Sequence, residues 1–244
     1  MADAGSVIKL ETVQMDRGTH HELASATYEK ALATKFQICK NPELYDGQDR
    51  VITRDEFRML STWLNRSSFL PFRAIDPDDL QSGNCYYNAS FNLSKIQIAD
   101  RTYGIELEMT TNAPFGYGDQ IEHVLSFQES GDQNTIQCFG DEYCFVYPDL
   151  TIECGEEGEL HLSCDLGRCD FKVRECYQGE VIHVDGARRI ITTSRNTHNI
   201  ASSFNYEFFR IGKTTGNAEN IITSDGIPCT ITLTYRPIIK DTPY

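Results

Sequence analysis

One segment of the chain has the hydrophobic spacing of an amphipathic helix. Thr53 and Glu56 form a capping box, in which the hydroxyl accepts a hydrogen bond from the amide three residues on and the carboxylate returns to the first amide. After this start, apolar residues recur at the spacing of one helix face. They are Phe57, Leu60, Trp63 and Leu64. We predict a helix over residues 53–65, packed on its domain through this face.

Most of the remaining chain alternates between apolar and polar residues with a period of two. Such alternation is typical of half-buried antiparallel strands. Clear examples are 103–109, 204–208 and 231–235. Two Asp-Gly pairs, at 185–186 and 225–226, stand between apolar runs and predict tight hairpins.

The chain has 244 residues, which suggests one large domain or two of ordinary size. The alternation stops at 111–119 and again in the polar run 129–134, and each is a candidate boundary. We place the boundary after residue 133. The resulting prediction is a mainly β protein, in which domain 1–133 is a sheet with one helix and domain 134–244 is a sandwich of about eight short strands.

The formal charge of −14, from 22 basic and 36 acidic residues, makes free nucleic acid a poor partner. Neither half of the chain carries a basic stripe that would neutralise phosphates. No apolar run approaches the roughly 18 residues of a membrane-spanning helix. The N-terminus also lacks the pattern of a secretory signal. We therefore expect a soluble protein without a membrane partner.

Nine cysteines raise the question of disulfides or metal binding. Their odd number, the missing secretory signal and the absence of any C-x₂-C pair argue against both. We expect reduced thiols that pack as small hydrophobic side chains.

Motifs for catalysis or cofactor binding are incomplete. The run from His21 begins like a zinc-protease helix, but Ser25 stands where the second histidine is required. The run Gly-Tyr-Gly-Asp at 116–119 lacks the further glycine and helix of a dinucleotide-binding loop. We predict no catalytic residue, no metal and no cofactor.

Two alternatives from other functional classes remain open. Three acidic clusters, at 76–79, 141–142 and 156–159, each hold enough carboxylates for a glycosidase, although their turn-like surroundings favour solvated surface residues. A carbohydrate-binding module or adhesin is the other alternative. Its difficulty is that the only tryptophan, Trp63, lies outside the second domain, so that domain has no tryptophan platform for a sugar ring.

The order and spacing of several segments resemble the distal tail protein of long, non-contractile-tailed bacteriophages. None of these segments is a catalytic signature. The segments are 53–64, 69–73, 86–98, 104–117, 147–152, 179–185 and 216–237.

This resemblance implies a tube-like N-terminal β domain with one helix and a protruding arm, followed by a galectin-like C-terminal sandwich. In that family six copies form a ring, which joins the tail tube protein to a tail-tip protein or receptor-binding protein. DNA passes through the lumen without specific binding, and the negative charge of the chain suits such a conduit. The resemblance thus implies a structural virion protein that is assembled in the bacterial cytoplasm. The second domain departs from true galectins, because His198-Asn199 is followed by Ile200-Ala201.

The polar segment just before the helix is the best candidate for the arm that would contact a neighbouring subunit. It carries turn signals and is too polar for a core. An ordinary surface hairpin is the alternative. The candidate interface residues are Glu43, Tyr45, Asp46, Gly47 and Asp49.

The cysteine analysis makes a direct prediction. Alkylation of the denatured, unreduced protein followed by mass spectrometry is expected to label all nine cysteines, because no disulfide protects them. Labelling of only a minority would contradict the assignment of reduced thiols.

Overall fold

A computed structural model describes residues 8–14, 21–28, 30–73, 75 and 85–240. The chain divides into two compact units. Within the described residues, the first runs to Tyr117 and includes Ile239 and Lys240, and the second is Gly118–Ile238. The second unit thus begins before the predicted boundary at residue 133, because strand Ile121–Phe127 pairs with a strand of that unit. It begins inside the other candidate break, 111–119.

The first unit contains a four-stranded antiparallel sheet, a separate two-stranded ribbon and one long helix. Its elements are β1 (Ile8–Gln14), β2 (His21–Tyr28), β3 (Ala33–Cys39), a short 3₁₀ helix (Gly47–Arg50), α1 (Arg54–Leu64), β4 (Leu70–Phe72), β5 (Tyr87–Ile98), β6 (Arg101–Thr111) and β7 (Gly116–Tyr117). Strands β1 and β2 form the ribbon, and the sheet has the order β3-β6-β5-β4.

The four-stranded sheet has one apolar and one polar face. Leu107 on β6 stands between Phe36 on β3 and Leu93 on β5, and all three point into the core of the unit. The residues between them on each strand are polar and point to the opposite face, as the period of a strand requires. Helix α1 packs on the apolar face.

The capping box of helix α1 is present as predicted. The Glu56 amide donates to Thr53 Oγ1 at 3.2 Å, and the Thr53 amide donates to Glu56 Oε2 at 2.7 Å. Phe57, Leu60 and Leu64 are half-buried against the core. The expectation that Trp63 shares this contact is wrong, because its side chain is 65% exposed.

The second unit contains two large antiparallel sheets and one two-stranded sheet. Its elements are β8 (Ile121–Phe127), β9 (Asp132–Gln137), β10 (Phe145–Val146), β11 (Asp149–Cys154), β12 (Gly158–Cys164), β13 (Cys169–Cys176), β14 (Val181–Asp185), β15 (Ile190–Thr193), α2 (Ile200–Ser203), β16 (Ile211–Gly212), β17 (Glu219–Ser224) and β18 (Cys229–Tyr235). The last strand, β19 (Ile238–Ile239), spans the boundary at which this unit ends. One large sheet has the order β15-β14-β11-β18-β8, the other has the order β13-β12-β17-β9, and β10 pairs with β16.

Both sheets contribute alternate residues to a single buried core. Ile152 on β11 and Leu233 on β18 belong to the five-stranded sheet, and Leu162 on β12 and Phe171 on β13 belong to the four-stranded sheet. Sheets that share a core in this way form a β-sandwich. The predicted mainly β fold class is confirmed.

One of the two predicted Asp-Gly hairpins is confirmed, since the turn at Asp185-Gly186 joins the paired strands β14 and β15. The other is wrong, because Asp225-Gly226 carries the chain from β17 in one sheet to β18 in the other. At Gly226 a Cβ atom would lie 2.2 Å from the carbonyl oxygen of Glu159. Glycine is therefore required there by close backbone contact with β12.

The predicted strand at 204–208 is also absent. Helix α2 ends just before Phe204, and Tyr206 has φ = +61°, a left-handed conformation that extended strands do not adopt. The ring of Phe204 packs instead on Phe171 and Phe208, with centroid separations of 5.2 and 5.0 Å.

All nine cysteines are free thiols in the structure, and six of them are buried in the second unit. Burial raises the pKa of the Cys138 and Cys229 thiols to about 11. These thiols pack as small hydrophobic side chains. Within the described residues, no helix has the length and apolar character needed to cross a membrane.

Two adjacent helix residues give a matched test of how α1 packs. Leu60→Ala is expected to lower the free energy of unfolding by about 2 kcal/mol, because it removes part of a half-buried side chain. Met59→Ala is expected to change it by less than about 0.5 kcal/mol, because Met59 is 67% exposed. Urea denaturation followed by circular dichroism, with both variants shown to have the same mass in solution as the wild type, measures the difference. Equal effects would mean that α1 is not oriented as described.

Candidate subunit interface

The segment between β3 and α1 holds the five residues predicted as an interface arm. It is not a hairpin of two strands. The Leu44 and Tyr45 amides both donate to the Asn41 carbonyl, which closes a turn, and a 3₁₀ helix follows over Gly47–Arg50. Together these residues form a compact loop, which we call the pre-helix loop (residues 40–53).

Arg50, near the end of the pre-helix loop, stabilises the loop by hydrogen bonds to its earlier residues. Its Nε donates to the Tyr45 carbonyl at 2.8 Å, and its guanidinium also donates to the Pro42 carbonyl at 3.2 Å. A 3.7 Å ion pair joins it to Asp46. Because the two carbonyl contacts are to backbone, they do not require the side chains of Pro42 and Tyr45.

Lys40 attaches the loop to the start of the helix. Its Nζ lies 2.7 Å from Glu56 Oε1 and donates to the Val51 carbonyl at 3.0 Å. The hydrogen bond from Lys40 is the main reason that the pKa of the Glu56 carboxyl is lowered. The loop and the first turn of α1 therefore form one continuous piece of surface.

The structure brings all five predicted residues onto this loop. The side chains of Glu43, Tyr45, Asp46 and Asp49 are exposed, and Gly47 opens the 3₁₀ helix. Leu44, which the prediction did not include, is 76% exposed. The loop thus presents three carboxylates and two larger side chains to solvent.

A second exposed surface, which sequence reasoning missed, lies on the outer face of α1. Met59 and Trp63 are one helical turn apart and are 67% and 65% exposed. A signal for this was present in the sequence. At 100° per residue, Trp63 lies about 90° around the helix axis from the centre of the apolar stripe formed by Phe57, Leu60 and Leu64.

An apolar cavity of about 200 Å³ lies beside this helix face, between the end of β3 and α1. Ile38, Ile52 and Leu60 contribute to its lining, and Met59 stands at the same wall. The cavity joins the base of the pre-helix loop to the exposed face of α1. We call the face of Met59 and Trp63, together with this cavity, the helix patch.

The β1–β2 ribbon provides a third exposed surface, because its two faces differ in polarity. The register places one set of apolar residues on one face, namely Ile8, Leu10, Leu23, Ala26 and Tyr28. The other face carries Lys9, Glu11 and Val13. Leu10 is 60% and Leu23 is 59% exposed, so much of the apolar face meets solvent. We call this face the ribbon patch.

The polar face of the four-stranded sheet carries ionised groups. Lys35 lies 3.8 Å from Glu106 and 3.4 Å from Glu108, so that one cation lies between two carboxylates. Asn92 and Ser94 on β5 stand opposite these glutamates. This face is hydrophilic and suited to contact with water.

The second unit contains a buried Glu-His pair. His198 Nδ1 lies 2.6 Å from Glu180 Oε1, and His198 Nε2 lies 3.1 Å from the Arg174 carbonyl. Burial acts to raise the pKa of Glu180, but hydrogen bonds from Thr193, His198 and the Tyr177 amide outweigh it and lower that pKa. Both side chains are almost completely buried, so the pair stabilises the sandwich core.

Two of the three acidic clusters considered for a glycosidase can be placed as follows. Asp76, Asp78 and Asp79 lie outside the described residues. Glu156 and Glu157 are exposed in the turn before β12. In the part of the chain that the structure describes, no group of three or more His, Cys, Asp or Glu side chains could hold a metal ion.

Exposed apolar patches on a compact scaffold are typical of proteins that assemble into larger structures. Comparison with known families agrees with this class. A profile described as a phage tail protein N-terminal domain matches residues 2–113, and one described as a phage tail C-terminal domain matches residues 115–235. The chain belongs to this family of phage tail proteins. It is therefore a structural component of the virion.

A solved structure supports the fold. The chain is similar to the crystal structure of the Dit protein of phage SPP1, described as a paradigm of the hub adsorption apparatus in phages that infect Gram-positive bacteria. The TM-score is 0.65 at 11% identity, and the match covers 96% of this chain and 90% of that one. The resemblance to distal tail proteins is confirmed. A search of curated proteins finds no match.

The buried Glu180–His198 pair predicts a pH dependence of stability. Because folding lowers the pKa of Glu180 below its ordinary value of 4.5, its contribution is complete above that pH and is lost as the pH falls through the folded-state value. Glu180→Gln is expected to cost about 2 kcal/mol at neutral pH, since it replaces the buried carboxylate that accepts hydrogen bonds from Thr193, His198 and the Tyr177 amide with a neutral amide. The variant should also lose less stability than the wild type on acidification.

Chemical denaturation at several pH values between neutral and acidic measures both effects. Glu157→Gln is the matched control, because Glu157 is exposed. A Glu180→Gln profile that runs parallel to the wild type would contradict the role assigned to the pair.

Proposed function

We propose that this protein is the distal tail hub of its phage, assembled as a ring of six copies. The observation that carries the proposal is the similarity to the SPP1 Dit fold, which extends over both units of the chain. Membership of the phage tail protein family supports it independently.

In this proposal one side of the ring binds the tail tube protein. The other side holds a tail-tip protein, and a receptor-binding protein is a further candidate partner. The ring is assembled in the bacterial cytoplasm and becomes part of the tail tip of the virion. Its lumen lets DNA pass without specific binding.

The polar face of the first sheet is our candidate for the wall of this lumen. Glu106 and Glu108 outnumber Lys35 on it, and each copy adds a net charge of −14 to the ring. An acidic wall repels a polyanion and so prevents DNA from adhering during passage. The apolar face of the same sheet is covered by α1 and takes no part in the lumen.

The galectin-like sandwich serves in this proposal as a structural module. His198, two residues before the Ile200-Ala201 pair at which the sequence departs from true galectins, is buried, and both of its ring nitrogens are engaged in hydrogen bonds. It is therefore unavailable to a sugar. This observation favours the hub over the carbohydrate-binding alternative.

The pre-helix loop is proposed to contribute to the contact between copies. Its backbone is held by Arg50 and Lys40, so Tyr45 and the carboxylates beside it are presented on a rigid support. A rigid support lowers the entropy that is lost on binding.

Measurement of mass in solution tests the ring and the loop together. Light scattering of the wild type is expected to give six times 27.7 kDa, or about 166 kDa. The triple variant Glu43→Ala, Tyr45→Ala, Asp46→Ala is expected to shift the protein to smaller species, because it removes exposed contacts without touching the backbone bonds of Arg50. The matched control is Glu157→Gln, in the second unit.

A wild-type protein that is monomeric at all concentrations, and also in virion extracts, would contradict the ring. A folded triple variant that keeps the mass of the full ring would instead show that the loop is not part of the interface. That result would not contradict the ring itself.

A further inference from the structure

We propose that the outer face of α1 binds a short acidic segment of another tail protein. One aliphatic side chain of this segment fills the apolar cavity beside the helix, and its carboxylates pair with the arginines next to that cavity. The inference adds the chemistry of one partner to the proposed hub function, and it rests on that function only for the source of the partner.

Three cavities lie in a row along α1, because neighbouring cavities share a wall. Met59 lines both the apolar cavity of about 200 Å³ and a shallow cavity of about 500 Å³ on the outer face of the helix. Arg66 lines both the shallow cavity and a third cavity of about 240 Å³. Trp63 lies in the shallow cavity, and Phe69 lies in the third. We call this row, which extends the helix patch past Arg66, the α1 groove.

The α1 groove offers apolar contacts along its whole length. Met59, Trp63 and Phe69 are large apolar side chains that remain exposed. Tryptophan is among the residues that dominate the energy of protein interfaces. The apolar cavity adds no net charge, because its Lys40 and Glu56 pair with each other at 2.7 Å. This end of the groove therefore suits an aliphatic side chain.

The rest of the α1 groove is positively charged. Arg58 and Arg66 line it, and Arg54 is exposed one helical turn before Arg58. In the part of the chain that the structure describes, none of these three arginines forms an ion pair. The described lining of the shallow cavity contributes one carboxylate, Asp55. A guanidinium binds a carboxylate through two hydrogen bonds, so these cations select an acidic partner.

The spacing along the helix limits the length of the segment. Met59 and Arg66 are seven residues apart, which corresponds to about 10 Å at 1.5 Å per residue. An extended chain covers this distance in about three residues. The carboxylates are therefore expected within about three residues of the aliphatic side chain.

The pre-helix loop of another copy is a less suitable occupant, although its chemistry is similar. Leu44 is exposed there beside Glu43, but Asp46 already pairs with Arg50 at 3.7 Å. The loop also adjoins the groove on the same chain, through the contact of Lys40 with the start of α1. Two adjoining surfaces that bind each other reciprocally form a two-fold dimer and not a ring. We therefore assign the groove to a different protein.

Nucleic acid is also a less suitable occupant. Arginines beside a tryptophan suit single-stranded nucleic acid, because bases stack on aromatic rings. The net charge of −14, however, repels a polyanion. A nucleotide also has no aliphatic side chain for the apolar cavity.

Titration with a synthetic peptide tests the α1 groove directly. The probe is the N-acetylated and C-amidated peptide Gly-Glu-Glu-Asp-Leu-Asp-Glu-Glu-Gly, in which acidic residues flank one leucine on both sides. Trp63 is the only tryptophan, so its emission reports on the groove alone. As the peptide is added to the wild-type chain, this emission is expected to shift to shorter wavelength and to become less sensitive to quenching by acrylamide.

Matched peptides separate the contribution of the anchor from that of the charges. One control peptide has serine in place of leucine, and the other has the neutral amides glutamine and asparagine in place of the acids. Each is expected to bind at least about tenfold more weakly, because the first lacks the apolar side chain and the second lacks the carboxylates.

A double variant tests the arginines. Arg58→Gln with Arg66→Gln is expected to weaken binding of the acidic peptide at least about tenfold. Both side chains are exposed, so the fold is expected to survive, as circular dichroism would verify. Arg188→Gln is the matched control, because Arg188 is an exposed arginine of the second unit. This control is expected to leave the affinity unchanged.

Crosslinking in intact virions identifies the natural occupant. Thr62→p-benzoylphenylalanine places a photoreactive side chain in the α1 groove and keeps Trp63. After irradiation, mass spectrometry is expected to find this position joined to an acidic segment of a different tail protein.

Four results would overturn the inference. The first is an unchanged Trp63 emission at about 5 mM peptide, a concentration that saturates even a site with a Kd of about 1 mM. The second is an affinity that the double variant does not alter, and the third is a stronger response of Trp63 to a thymidine oligonucleotide than to the peptide. The fourth is a crosslink to anything other than an acidic segment of another tail protein, a second copy of this chain included.

Failure of this inference and failure of the proposed function give different results. Peptide binding is measured on a single chain, which contains the whole α1 groove. A wild type that binds the acidic peptide but never forms a ring would contradict the hub and not the groove.

Discussion

The packing of α1 on one face of the four-stranded sheet determines which faces of the helix and of that sheet remain exposed. Phe57, Leu60 and Leu64 cover the apolar face, so the polar face with Glu106 and Glu108 remains open to water. The same contact turns Met59 and Trp63 outward and forms one wall of the neighbouring cavity. An eleven-residue helix is long enough to cover the sheet core but has more apolar residues than that contact uses. The remaining apolar side chains, Met59 and Trp63, are available for contact with other protein chains.

Local signals in the sequence predicted the elements that depend on local physics. The capping box at Thr53 and Glu56 located the helix, because its hydrogen bonds involve only neighbouring residues. The alternation of apolar and polar residues located β6 and β18 for the same reason, since a half-buried strand shows this pattern in its own sequence. The resemblance to distal tail proteins then predicted that these elements belong to two β domains.

The errors concern features that depend on distant parts of the chain. The turn at Asp225-Gly226 resembles a hairpin locally, but its neighbour β12 determines that it crosses between sheets. Trp63 was assigned to the core because it is apolar and lies near the stripe. The candidate interface loop was located correctly as an exposed, polar loop, yet the pairing of β1 with β2 in a ribbon was not predicted. Strand pairing depends on residues outside each strand, and the local pattern of one strand does not report it.

The buried thiols of the second unit bear on how the particle survives outside its host. A phage is built among cellular reductants and then persists in aerated medium. Oxidation and alkylation proceed through the thiolate, so the thiols of Cys138 and Cys229, whose pKa values are raised to about 11, stay protonated and react slowly. At these two positions the core of the sandwich can therefore pass from one chemical environment to the other as the same unmodified thiols.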